Sequence, residues 1–128
     1  MTDHQSTAKG VAFKAADHVA YIDGAVVSKT LIKKEIGTVT LFAFEAGQGL
    51  SEHTAPFDAL VQILDGEALI TIGGEPQTVT TGEMIIMPAN VPHEAEALED
   101  TLDVDVFCPP RQDWLDGTDS YFHRSPEK

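Results

Sequence analysis

The chain has 128 residues, 42% of them hydrophobic, and carries 21 acidic against 8 basic side chains, a formal net charge of -13. That length suits one compact domain with a real core and leaves no room for two large ones. A negative field of this size repels phosphate backbones and anionic lipid, so neither nucleic acid nor a membrane surface is expected as a partner. Cys108 is the single cysteine, which excludes an intrachain disulfide, and no CxxC or Cys/His cluster exists. The opening residues MTDHQSTAKG are polar and contain no apolar signal-peptide segment, and no apolar run reaches the length of a membrane span. A reducing, cytoplasmic location is the expectation by elimination.

Residues 1–10 read as a flexible N-terminus, residues 11–116 as one domain and residues 117–128 as a polar C-terminal tail that holds Tyr121 and Phe122. Val11, Phe13, Val19 and Tyr21 give a weak pattern that allows at most one edge strand. Val26 to Ile32 is rich in β-branched residues and lies between Gly24 and the Lys33-Lys34-Glu35 cluster, so it reads as a strand. Gly37 to Phe44 alternates small or polar with apolar residues and ends at Gly47 and Gly49. Ala59 to Leu64 is a short apolar run stopped by Asp65-Gly66, a strong turn signal. Glu67 to Ile72 follows with Ala68, Ile70 and Ile72 on one face, and Gly73-Gly74 closes a hairpin onto Gln77 to Thr80. Met84 to Met87 is a strand ended by Pro88, and Pro92 precedes another from His93 to about Leu98. Thr101 to Phe107 alternates strictly, with Leu102, Val104 and Val106 on one face and Asp103 and Asp105 on the other. Pro109-Pro110 ends regular pairing, and Arg111 to Leu115 is short enough for one helical turn.

Eight to ten short strands separated by turn residues, with no sustained helical period, predict an all-β sandwich or barrel. The glycines around Gln48 and after Ile72 sit between strands, so they are turns and not phosphate cradles. No hydrolase or nucleotide-binding motif is present.

The central 50 residues carry two spaced frames. The first runs Gly47, five residues, His53, Thr54, Ala55, three residues, Ala59, six residues and Gly66. The second runs Gly82, five residues, Pro88, Ala89, Asn90, two residues, His93, three residues and Ala97. Together they resemble the two motifs of the cupins, and the resemblance implies a double-stranded β-helix, or jelly-roll barrel. In metal-binding cupins two histidines and a glutamate of the first motif and one histidine of the second hold a divalent ion. This chain keeps His53 and His93 and has Ala55 and Ala59 at the other two positions. The resemblance implies one divalent transition metal, zinc, nickel, iron or manganese, as the candidate cofactor at His53 and His93. Asp58 is the best placed neighbouring carboxylate, because Pro56 makes the backbone beside it irregular. The competing reading is a metal-free pair of barrel histidines, bonded to each other, to water or to a bound ligand.

Ala97 to Leu115 is similar to the end of single-domain cupins that open unsaturated uronates in pectin and alginate breakdown, through a stretch like ALED-x-x-x-x-DVF-x-PPR-x-D-[FW]-L. In that reading Arg111, held stiffly by two prolines, reaches over the barrel mouth to an anionic substrate. In the plainer one it pairs with Asp113 or Asp116 at the surface. Trp114 reads as a lid. Met84 and Met87 read as core residues.

The expected ligand pocket opens near His53 and His93, with Phe44, Phe57, Val61, Ile63, Met87, Val91 and Arg111 around it. The expected partners are a small-molecule ligand and a second copy of the chain, the homodimer following from family habit and the outward leucines Leu60, Leu64 and Leu69. Three functions compete: a binder of a small molecule in the barrel, a metal-dependent isomerase or lyase acting on a sugar acid, and a non-catalytic structural subunit.

Overall fold

Nine antiparallel strands are shared between two sheets in the computed structural model, which describes residues 8–108. In chain order they are β1 (Val27–Lys34), β2 (Gly37–Phe44), β3 (Gly49–His53), β4 (Ala59–Asp65), β5 (Glu67–Ile72), β6 (Glu75–Thr80), β7 (Met84–Met87), β8 (His93–Ala97) and β9 (Thr101–Phe107). One sheet has the order β1-β2-β9-β4-β7 and the other β3-β8-β5-β6. Non-consecutive neighbours in both sheets mean that the chain keeps crossing between them, which is the double-stranded β-helix expected above.

Two corners show how local chemistry directs those crossings. Gly73 and Gly74 both have positive φ, 58° and 84°, and join β5 to β6 through a two-residue hairpin with Ile72 opposite Glu75. Such a turn needs two left-handed residues, which glycine supplies without a Cβ clash. Asp65-Gly66 is a different kind of turn. It carries the chain from β4 in one sheet to β5 in the other. Gly66 has φ 114°, and a Cβ there would stand 2.5 Å from the Asp100 carbonyl oxygen and 2.7 Å from Thr101 Oγ1.

Between the sheets lies a core of Ala59, Val61, Ile63 and Met87 from one side and Ala68, Ile70 and Val79 from the other. The outer face of the five-stranded sheet carries a second cluster, Val27, Ala43 and Leu102, with Leu64 beside it. The N-terminal segment covers that cluster with Ala15, Val19 and Ile22. This segment is not the edge strand its pattern allows. It forms a single 3₁₀ turn at Ala15–Asp17 and an isolated bridge between Ile22 and Ala25. Its apolar side chains lie flat on a sheet face, so its backbone adds no strand to the ladder. His18 Nδ1 accepts from Lys29 Nζ at 2.8 Å and pins the segment to β1.

Beside that cluster the outer face continues in register across all five strands. Ile86, Leu60, Val106, Val39 and Ile32 form one rung. Met84, Gln62, Val104, Leu41 and Lys29 form the next.

Candidate functional site

β3 and β8 lie side by side in the smaller sheet, and they bring His53 and His93 together. The two residues are direct cross-strand partners, with ring centroids 4.4 Å apart and planes at 69°. The ladder between Leu50 and His53 is irregular: three steps on β3 match two on β8, from Ala95 to His93. This bulge sets His53 and Leu50 opposite inward-facing partners although they are three residues apart. Strict alternation would have turned one of them outward. The sequence reading assigned no strand to residues 49–53; β3 is exposed along its whole length, and such a strand has no apolar alternation to betray it.

Each imidazole is held by its own backbone. His53 Nδ1 lies 2.7 Å from the Ser51 carbonyl oxygen, and His93 Nδ1 lies 3.1 Å from that of Val91. A carbonyl only accepts, so both Nδ1 atoms carry the proton, and in the neutral ring Nε2 is left as an acceptor. Among the described residues neither Nε2 has a hydrogen-bond partner. His93 is buried and His53 is exposed, so the pair spans the passage from interior to solvent.

The loops that follow His53 and precede His93 are tied to each other. The Asn90 amide donates to the Ala55 carbonyl at 2.7 Å, and the Ala89 amide donates to Asp58 Oδ1 at 2.8 Å. Asn90 has φ 64°, a left-handed conformation at the position where the cupin motif has glycine. Asparagine tolerates that region better than other residues with a Cβ, which explains how the frame survives the substitution. Asp58 is thus a brace between the motif loops. Asp58, the carboxylate expected beside the histidines, uses its Oδ1 to accept from the Ala89 amide.

A resident divalent metal does not fit these residues. Two imidazoles face each other, Ala55 and Ala59 offer no lone pair, and among the described residues no three His, Cys, Asp or Glu side chains converge. Protein-held zinc takes three or four protein ligands.

Of the expected pocket residues, Val61, Ile63 and Met87 belong to the inter-sheet core, Ile63 with no exposed surface. Phe44 is buried and stacks on Phe42 at 5.7 Å. Phe57 meets Phe107 edge to face at 5.6 Å, and Val91 is half-buried beside the His93 anchor. Arg111, Trp114 and the helical turn expected at 111–115 lie outside the described residues, as do the segments 1–7 and 109–128.

The interior also holds two groups that the sequence reading did not single out. Asp103 lies opposite Phe42 and Ile63, and Asp105 lies opposite Thr40 and Val61, so both carboxyls share the inward face of the larger sheet with the core. They are 8% and 4% exposed, and one Oδ1 of each has no hydrogen-bond partner. Burial, the neighbouring Asp105 charge and a hydrogen bond between the two carboxyls push Asp103 up to about 9. Burial raises Asp105 to about 7, against the lowering effect of its bond to Asp103. One proton shared between two carboxyls is the arrangement that like charges in a dry interior enforce. The alternation over 101–107 was legible, but a period of two assigns residues to two faces without saying which face turns inward.

The antiparallel jelly roll with a histidine from each of two motif loops defines the class. A family model described as Cupin domain matches residues 40–109. The chain also shares 32% identity over 89 residues with an uncharacterized protein of Streptomyces coelicolor, covering 69% of this chain and 83% of that one. It therefore belongs to the cupin family. Among solved structures it is similar to a conserved protein of unknown function from Streptococcus pyogenes, with 31% identity, a TM-score of 0.79 and coverage of 84% of this chain and 94% of that one. It is also similar to KdgF from Halomonas sp., with 24% identity, a TM-score of 0.67 and coverage of 83% and 99%, a likeness of fold.

Proposed function

We propose that this cupin binds a small, neutral, hydroxyl-bearing molecule at the end of the barrel where His53 and His93 meet. The observation that carries the reading is the pair of imidazoles whose Nδ1 atoms are tied to Ser51 and Val91. That arrangement leaves Nε2 as the acceptor on each of two rings 4.4 Å apart, and such acceptors select ligands with hydrogen-bond donors. The net charge of -13 works against an anionic ligand at long range. Neither histidine needs a metal for this role.

The test is a thermal-shift screen of polyols, neutral sugars, amines and sugar acids at millimolar concentration. One neutral class should raise the melting temperature, since a ligand at about 100 times its dissociation constant stabilises by about 2.7 kcal/mol. His53→Ala, at an exposed position, should abolish that shift while leaving the unliganded melting temperature near that of the wild type. A shift unchanged in His53→Ala, or none in the whole screen, would overturn the reading.

A second reading, an isomerase or lyase acting on a sugar acid, is favoured by the buried Asp103–Asp105 pair. A carboxyl that keeps its proton near neutral pH is the group such chemistry requires as general acid. Turnover of an unsaturated uronate that is lost in Asp105→Asn would support this reading over simple binding.

A further inference from the structure

The N-terminal segment rests on the outer face of the larger sheet through two kinds of contact. One is apolar: Ala15, Val19 and Ile22 pack on the buried side chains of Val27, Ala43 and Leu102. The other is polar: Lys29 Nζ donates to His18 Nδ1 at 2.8 Å, and Lys29 is only 6% exposed. An ammonium has three donors and no acceptor, so whatever else Lys29 touches, this bond needs an Nδ1 without a proton. The Phe13 ring packs edge to face against the same imidazole, with centroids 4.8 Å apart.

We propose that the His18–Lys29 bond is a pH-sensitive latch, which holds residues 15–25 on the sheet while His18 is neutral and releases them when it is protonated. Imidazole is the side chain that gains its charge between about pH 8 and 5. The added proton turns Nδ1 from acceptor into donor and sets a cation against the Lys29 ammonium. Two donors cannot share one hydrogen bond, and an ammonium this deeply buried loses an acceptor only at a cost. Lifting the segment lets water take the place of that acceptor. Among the described groups, Lys14 and Asp17 flank the ring on its own turn, and β1 contributes Lys29. β2 and β9 present the apolar Leu41, Ala43 and Leu102 on this face. Asp65 and Asp100 act on the Tyr21 hydroxyl.

The latch and the barrel respond to acid with opposite sign. Asp103 and Asp105, raised to about 9 and about 7, hold protons that stabilise the folded barrel as pH falls. Acid therefore firms the inter-sheet core while it loosens the segment.

Amide exchange of the full-length protein at pH 8 and pH 5, expressed as protection factors so that the intrinsic rate cancels, tests this. The reporters are the hydrogen-bonded amides of Asp17, His18 and Ala25. Their protection should fall at least tenfold at pH 5, while β5 and β6 keep or gain theirs. His18→Asn offers an amide oxygen near the position of Nδ1 and does not titrate, and Lys29→Met removes the opposing donor at similar volume. In both variants the fall between pH 8 and pH 5 should vanish. Equal wild-type protection of the segment at the two pH values would overturn the latch. So would a tenfold fall that persists in either variant, or one that β5 and β6 share.

Discussion

Thr101 sits at the joint between the two sheets with 1% of its surface exposed, and its hydroxyl has three partners there. Its Oγ1 accepts from the Glu67 amide at 3.2 Å and faces the carbonyls of Glu67 and Glu99 at 3.0 and 2.7 Å. Valine has nearly the same shape but strands those groups, so Thr101→Val should cost about 1–3 kcal/mol in urea unfolding, with Thr101→Ser much closer to wild type. The aspartates predict a pH dependence. In the unfolded chain both titrate near 3.8, and both titrate higher when folded. The folded state therefore holds more protons above about pH 4, and stability falls as pH rises from there, through about 7 for Asp105 and about 9 for Asp103. Unfolding free energies at pH 5, 7 and 9 should decline in that order, and Asp103→Asn should flatten the decline. A wild-type protein equally stable at pH 5 and 9 would contradict a buried pair. The histidines were legible at this scale because motif spacing places them; the aspartates were not, because their burial depends on which side of β9 the core lies.

Strand boundaries follow the same division. β2, β5, β7 and β9 occupy the spans read from alternation and from their glycine and proline stops, since each has a chemically marked beginning or end. β3 and the N-terminal segment escaped for opposite reasons: the first is exposed yet paired, and the second is apolar yet unpaired. Burial and pairing are independent, and a hydrophobicity pattern reports only burial. The corner at Gly66 is where an element-level constraint is strictest. Thr81 Oγ1 accepts from its amide at 2.9 Å, and a Cβ there would meet Thr101 Oγ1 at 2.7 Å. Gly66→Ala should lose about 1–3 kcal/mol from backbone strain alone. Because the same corner starts β5, the loss should appear as faster amide exchange along β4 and β5 before global unfolding. Gly74→Ala is the control: it also sits at positive φ, but nothing lies within 4 Å of a Cβ there, so it should lose only the strain.

At the scale of the whole molecule, the chain builds one hydrophobic core between its sheets and a second beneath the N-terminal segment, with β9 as the wall common to both. Leu102 serves the outer cluster while Asp103 and Asp105 face the interior, so this central strand has both faces covered. That arrangement explains why carboxyls can line a barrel without unfolding it: the apolar half of β9 is buried on the other side. The two cores should then respond differently to damage. Ile63, wholly enclosed between the sheets, should cost about 2–5 kcal/mol as Ile63→Ala and lower the single global transition. Ile22 is half-buried and packs against the outer cluster. Ile22→Asp should free the N-terminal segment, raising amide exchange and protease sensitivity over residues 15–25 while leaving exchange in β5 and β6 unchanged. Equal loss of protection in both sheets would mean that the segment is part of one cooperative unit with the barrel, and the division into two cores would fail.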